Sequence, residues 1–253
     1  MTTDPHPLPA ITTDALCRDL DALGLRLGDR VMVHAAFRSL GVADPEVIVQ
    51  ALLRVLGPHG LLLTPALSYE QNPPHVHDTR STPTCVGFFP EYVRTRPGTR
   101  RSLHPTHSVC GVGGDVDGWL ADHALDSTPC GEYSPFRKLV ERGGKILMLG
   151  CGLRPNTTMH AIEEMAPPPY VFGPLVTYTI TDAAGRVFTK TYTHHGFAGV
   201  VQHYDRVADL LHGDDLRSGM VGNARSFLID AAALGEQALA CLRRDPFYFV
   251  DRL

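Results

Sequence analysis

The chain has 253 residues, 43% hydrophobic and 20% charged, with 23 Lys and Arg against 27 Asp and Glu and a formal net charge of −4. A chain of this size and composition can bury a core of its own. Its mild acidic excess excludes a protein built chiefly to hold nucleic acid or an anionic membrane surface, since both reward dense positive charge. No apolar run reaches the roughly 18 residues of a membrane span. Residues 1–10 are polar and Pro-rich, unlike a signal peptide, which opens basic and turns apolar. The six cysteines, Cys17, Cys85, Cys110, Cys130, Cys151 and Cys241, lie far apart with no CxxC pair, a pattern expected of free thiols in a cytoplasmic protein. Thirteen histidines are many for this length. Imidazole titrates near neutral pH and is the commonest metal ligand.

Thr12, Thr13 and Asp14 are cap candidates for a helix with an apolar stripe of Leu16, Leu20 and Leu23. A buried strand is expected over 31–34, then a helix entered by Asp44 and Pro45 and a second strand over 61–64, an order that suggests a parallel α/β layer. Residues 68–87 lack apolar periodicity and read as a long loop, either a ligand-binding segment or a solvated connection. A helix over 88–95 and a strand over 109–112 follow. Ser134 and Pro135 open a helix, and 145–150 is the clearest buried strand. Asn156, Thr157 and Thr158 are cap candidates for a short helix through His160, Ile162 and Glu163, stopped by three prolines. Segments 170–181 and 186–193 form a hairpin through Asp182 to Gly185, and helices are expected over 201–211 and 231–243. With no repeat, low-complexity tract or linker, the expectation is a single domain over 1–253. Its fold class is α/β, a mixed central sheet with helices on both faces plus a C-terminal β-hairpin and helices.

Two clusters could carry chemistry. On a helix, His160 and Glu163 at i and i+3 share a face, and a carboxylate beside an imidazole orients it and raises its basicity. Arg100 and Arg101, followed by Ser102, His104, Thr106 and His107, combine positive charge with hydrogen-bond donors and suit a phosphate. The alternative for the second cluster is a solvated basic loop. The histidine pairs 75/77, 104/107 and 194/195, with Cys85 or Cys110, could instead assemble a zinc site for a hydrolase. No HExxH or compact Cys/His knuckle is present, however. GxSxG, GxxxxGK and a helix-opening GxGxxG are also missing.

Five blocks in order, VMVHAAFRSLG at 31–41, RRSLHPTHSV at 100–109, GEYSPF at 131–136, GGKILMLG at 143–150 and NTTMHAIE at 156–163, together resemble the acetyl-CoA-dependent aminoglycoside 3-N-acetyltransferase family. The resemblance covers residues 14–197. It implies a cytoplasmic enzyme that moves the acetyl group of acetyl-CoA directly onto an amine of an aminoglycoside, and hence antibiotic resistance. His160 would be the general base and Glu163 its partner, with Thr106 a candidate donor to the oxyanion. His34, Ser39, Leu40, Gly41, Arg100, Arg101, Ser102 and His107 are expected to line the CoA channel. Glu70, Asp78, Glu164 and His195 are the candidates for the acceptor side. No metal is implied, and the protein would act as a monomer or homodimer. Against a polycationic acceptor stands the mild net charge, together with His194 and His195 where many relatives carry an aspartate. A non-aminoglycoside amine is therefore the alternative acceptor.

Overall fold

The computed structural model describes residues 11–253, so the reading of residues 1–10 lies outside the described residues. In chain order the elements are α1 (Thr13–Leu23), β1 (Arg30–Ala35), α2 (Pro45–Leu56), β2 (Leu61–Pro65), β3 (Val76–Asp78), α3 (Phe88–Thr95), β4 (Arg100–Arg101), β5 (Val109–Gly113) and α4 (Val116–Leu120). They continue with α5 (Pro135–Glu141), β6 (Lys145–Leu149), α6 (Thr158–Met165), β7 (Phe172–Thr181), β8 (Val187–His195), β9 (Val200–Gln202), β10 (Leu216–Val221), β11 (Ala224–Asp230), α7 (Ala231–Arg244) and β12 (Val250–Arg252).

Seven strands form one mixed sheet in the order β10-β11-β6-β1-β2-β5-β4. Its centre is parallel: β1 pairs with β2 and with β6, His34 lying opposite Met148 and Ala35 opposite Leu149. β11 and β5 run antiparallel to this centre on either side. Strands buried on both faces read as continuous apolar runs, as in β2 and β6. Alternate residues of β1 feed two cores. Val31 and Val33 pack with Leu16, Leu20, Ile48, Leu52, Phe89 and Val93 of α1, α2 and α3, while Met32 packs with Trp119, Phe136, Met159 and Leu234 of α4 to α7. Helices thus cover both faces, as expected. Each fully buried large aliphatic side chain stabilises the fold by about 1.5–3 kcal/mol relative to exposure.

Local chemistry sets the helix ends. Thr12, Asp44, Ser134 and Asp230 each accept a backbone N–H at the start of α1, α2, α5 and α7, and Pro45 and Pro135 occupy first-turn positions where no N–H is required. The hairpin β7–β8 stands apart in a three-stranded sheet with β3, which pairs parallel to β7. Asp182 accepts the N–H groups of Ala184 and Arg186 to close its turn.

Three sequence expectations change. The segment 201–211 is not an α-helix but the strand β9 followed by a 3-10 turn at Tyr204–Asp209. The long loop 68–87 contains β3. The hairpin β10–β11 was not expected at all, and it widens the sheet on the side of β6. All six cysteines are free, and no helix among the described residues is long and apolar enough to cross a membrane.

Candidate active site

The parallel strands β1, β2 and β6 end at one edge of the sheet, the place where open α/β sheets gather ligands. Because β5 runs the opposite way, the segment entering it, with His104, Thr106 and His107, arrives at that same edge. A cavity of about 590 Å³ opens there, lined at the strand ends by His34, Ala35, Ala36, Pro65, Leu67 and Cys151. Thr106 and His107 form one wall, His160 of α6 another, and His194, His195, Phe197 and Tyr204 close it from the C-terminal half.

α6 follows directly on β6. Just ahead of its N-cap Thr157, Asn156 Oδ1 accepts the N–H of Thr158, and His160 sits in the first turn facing the cavity. Glu163, one turn on, is fully buried. Its carboxylate accepts two hydroxyls, Tyr170 on Oε1 at 2.9 Å and Tyr204 on Oε2 at 2.7 Å. His160 Nδ1 is 3.5 Å from Glu163 Oε2 but 3.0 Å from the Tyr204 hydroxyl. The longer contact is at the limit of a hydrogen bond. Tyr204 has one proton, which it gives to Glu163, so its oxygen accepts from His160 Nδ1–H. That tautomer leaves Nε2 of His160 as the basic nitrogen. Burial, and then the Glu163 carboxylate, push the Tyr204 and Tyr170 hydroxyls above the ordinary phenol range, so both stay protonated donors.

Two further imidazoles flank His160. His195 Nε2 lies 2.7 Å from Glu164 Oε1, and Glu164 also accepts the N–H of Cys130. Burial raises the Glu164 carboxyl to about 7 and holds His195 well below the usual imidazole range. His107 Nδ1 lies 2.9 Å from the Thr106 hydroxyl, and its backbone N–H, with that of Thr106, points at His104 Nδ1. Burial, reinforced by His195 and His160, keeps His107 neutral. His34 is likewise neutral, pushed down to about 3 by burial and then by His160.

Of the residues singled out in the sequence, His34, Thr106, His107, His160 and His195 line the cavity, with Glu163 and Glu164 directly behind His160 and His195. The others lie elsewhere. The Arg101 guanidinium is spent on the carbonyls of Ala66, Thr79 and Thr82 and on Ser108 Oγ, and Arg100 pairs with Asp117 on the surface. Ser102 binds His123 and the Val109 N–H, and Ser39 binds the carbonyls of Ala36 and Gly150. Leu40 belongs to the core under α2, and Gly41 follows it in a turn with φ of 71°. Glu70 is exposed away from the cavity, and Asp78 closes the turn after β3 by accepting from Arg80 and Ser81. Burial or local hydrogen bonding claims most of these eight residues, while Glu70 and Gly41 stay exposed outside the cavity. Tyr204, Tyr170, Phe197 and Arg154 were missed, for none sits in a recognisable motif.

Nor do the histidine pairs converge as pairs. His77 and His104 are buried away from the cavity, and Cys85 and Cys110 take no part. Among the described residues the grouping with metal-ligand geometry is His107, His160 and His195, with ring nitrogens within 4.8 Å of one another.

The sequence model of the family described as aminoglycoside 3-N-acetyltransferase matches residues 32–243. The chain belongs to this family. Similar relatives include aminoglycoside N(3)-acetyltransferase III from Salmonella sp., 29% identical with 87% of each chain covered. Aminoglycoside N(3)-acetyltransferase VII of Streptomyces paromomycinus is 34% identical, over 63% of this chain and 62% of that relative's length. Among solved structures, AAC-IIIb in a binary complex with CoASH superposes with a TM-score of 0.79 at 33% identity, covering 92% of this chain and 97% of that one. AAC-VIa bound to sisomicin matches with a TM-score of 0.76 at 29% identity over 93% and 98%. The α/β fold with helices on both faces of a mixed sheet is therefore that of the aminoglycoside 3-N-acetyltransferases, and the chain is an acetyltransferase by family.

Proposed function

We propose that this chain carries the acetyl group of acetyl-CoA directly to an amine of an aminoglycoside or similar acceptor, with His160 as general base and Glu163 and Tyr204 as the groups that hold it. The observation carrying this reading is the chain of contacts from the buried Glu163 carboxylate through Tyr204 to His160 Nδ1, which leaves Nε2 basic beside the cavity. An ammonium cannot attack a carbonyl. His160 Nε2 takes its proton, the freed amine adds to the thioester carbonyl, and the C–S bond breaks as the amide forms. Of the two protons the nitrogen loses, one goes to the departing CoA thiolate and one to solvent. The imidazolium formed on the way is stabilised through Tyr204 and by the Glu163 carboxylate. General-base catalysis of this kind contributes about a hundred- to ten-thousand-fold.

Acetyl-CoA supplies an activated thioester carbonyl. The cavity suits its pantetheine arm, since Ala35, Ala36, Pro65, Leu67, Val86 and Pro90 give an apolar channel within the usual size of ligand sites. Arg154, exposed at the rim, replaces Arg100 and Arg101 as the candidate phosphate contact. With His107 Nδ1–H donating to Thr106 Oγ1, the Thr106 hydroxyl can turn from its 3.3 Å contact with His104 Nδ1 to donate to the developing oxyanion, a contact worth about 3 kcal/mol. The relatives solved with CoASH and with sisomicin support the choice of cosubstrate and acceptor class.

One observation favours a second acceptor reading. Among the described residues no carboxylate lines the cavity, whereas a polycation is best met by several. An amine carrying fewer charges fits this imidazole-rich wall, so a non-aminoglycoside amine stands as the alternative. We place the enzyme in the cytoplasm on the strength of its free thiols, and it would act as a monomer or homodimer.

The test is a screen of CoA release with aminoglycosides and other amines. Release is expected only when acetyl-CoA and acceptor are both present. His160→Ala should lose about a hundred- to ten-thousand-fold in kcat with its thermal melt unchanged. A folded His160→Ala that keeps most of its turnover refutes the assignment.

A further inference from the structure

Acetyl transfer uses one imidazole of the three that meet in the cavity. His107 and His195 have no assigned chemistry, yet one ring nitrogen of each and one of His160 lie within 4.8 Å of one another. The ring centroids are 4.9 Å apart for His107–His195 and for His160–His195, and 6.0 Å for His107–His160.

Each ring is held from behind by an oxygen. His160 Nδ1 has the Tyr204 hydroxyl and Glu163, His195 Nε2 has Glu164 Oε1, and His107 Nδ1 has Thr106 Oγ1. The nitrogens left over are Nε2 of His160, Nδ1 of His195 and Nε2 of His107. His195 Nδ1 is buried and makes no hydrogen bond with the protein, an arrangement that costs about 1–3 kcal/mol when nothing compensates it. Imidazoles whose far nitrogens are bonded to carboxylate or hydroxyl oxygens are the usual surroundings of a transition-metal ion, because the outer partner fixes the tautomer and strengthens the ligand.

We infer that His107, His160 and His195 form a binding site for a divalent transition metal of the zinc type, with a fourth position open to the cavity. Zinc bonds imidazole nitrogen at about 2.0–2.1 Å in a tetrahedron, which places the nitrogens about 3.4 Å apart. Closing the site therefore takes ring movements on the order of 1 Å. The ligands are three imidazoles, each already bonded to a protein oxygen through one ring nitrogen and keeping the other for the ion. Occupancy takes the lone pair of His160 Nε2, so the metal is an inhibitor of acetyl transfer rather than part of it. The inference goes beyond the proposed function, and its primary readout needs neither acetyl-CoA nor an acceptor amine.

The experiment uses the full chain, purified without a histidine tag and stripped with chelator. Equilibrium dialysis with Zn2+ should give one equivalent per chain, and Co2+ should give the intense visible bands of a four-coordinate ion. His195→Ala and His107→Ala, each shown folded by circular dichroism, should abolish the stoichiometric binding and the bands. Glu164→Gln, which keeps all three ligands and removes the outer carboxylate, should weaken binding about 10- to 100-fold. If acetyl transfer is detected, equimolar Zn2+ should suppress it and chelator should restore it. Substoichiometric binding, a weak six-coordinate Co2+ spectrum, or affinity unchanged in His195→Ala overturns the site. Loss of activity in His160→Ala without metal binding by the wild type would leave the general base standing and remove the metal site alone.

Discussion

At the scale of single residues, Tyr204 decides how His160 works. Its hydroxyl spans the gap that the 3.5 Å contact between His160 and Glu163 leaves, accepting from the imidazole while donating to the carboxylate. Tyr204→Phe keeps the ring packed against His160 and deletes that bridge together with a 3.2 Å contact from Gln202 Nε2. A neutral hydrogen bond contributes about 0.5–1.5 kcal/mol and one to a charged group about 1.5–3 kcal/mol. Since the imidazolium forms only when the acceptor ammonium is deprotonated for attack, the loss should fall on kcat, by roughly 10- to 100-fold, with KM for acetyl-CoA nearly unchanged. Steady-state kinetics with acetyl-CoA and acceptor varied in turn check the split. A change in KM alone would make Tyr204 a wall of the cavity and nothing more.

At the scale of elements, the site depends on how β6 hands the chain to α6. Gly150 makes that exit with φ of 65°, and a Cβ there would lie 2.1 Å from Ser39 Oγ and 2.9 Å from the Cβ of Ala224. Gly150→Ala therefore combines left-handed backbone strain with a clash against the turn after β1. The strain alone costs roughly 1–2 kcal/mol. The expected result is a lowered urea midpoint together with reduced turnover, because the strand end that positions α6 must shift. A melt identical to wild type would show that the turn relaxes freely. Elements of this local kind were legible in the sequence: His160 and Glu163 share a helical face at i and i+3, and the cap residues before α5 and α6 stand beside the turns they close. What depends on distance was not. Tyr204 lies 44 residues beyond His160 in a 3-10 turn without periodicity. The hairpin β10–β11 interrupts its apolar residues with Arg217, Ser218, Gly219, Arg225 and Ser226, which weakens the strand signal. Arg101 shows the converse error. A basic residue beside a His-Pro-Thr-His run looks like a phosphate ligand until its fold partners, four oxygens of its own chain, are known.

Across the whole molecule, the histidine excess becomes a statement about acid stability. His34, His77 and His123 are buried and held neutral, each pushed down to about 3 chiefly by burial, while His104, His107 and His195 are also driven well below the ordinary range. In the unfolded chain such imidazoles take up protons near pH 6.5. Between that pH and about 3 the unfolded state binds more protons than the folded one, so stability present above pH 6.5 is lost as the pH falls. Each such histidine steepens the loss by up to about 1.4 kcal/mol per pH unit. His77 isolates one of these terms. It is fully buried on β3, outside the cavity, and neither ring nitrogen has a hydrogen-bond partner, so an apolar side chain of similar size gives up no polar contact there. Beyond burial, the neighbouring Arg101 cation disfavours its protonation and Asp78 opposes that effect only in part. His77→Leu should be close to wild type in urea at pH 7.5 and more stable than wild type by about 2 kcal/mol at pH 5, the difference one proton makes over some 1.5 pH units. Urea unfolding at intervals between these two values reads the difference directly. If the two proteins lose stability in parallel as the pH falls, His77 takes up its proton without unfolding the chain, and its burial does not set the acid limit of the fold.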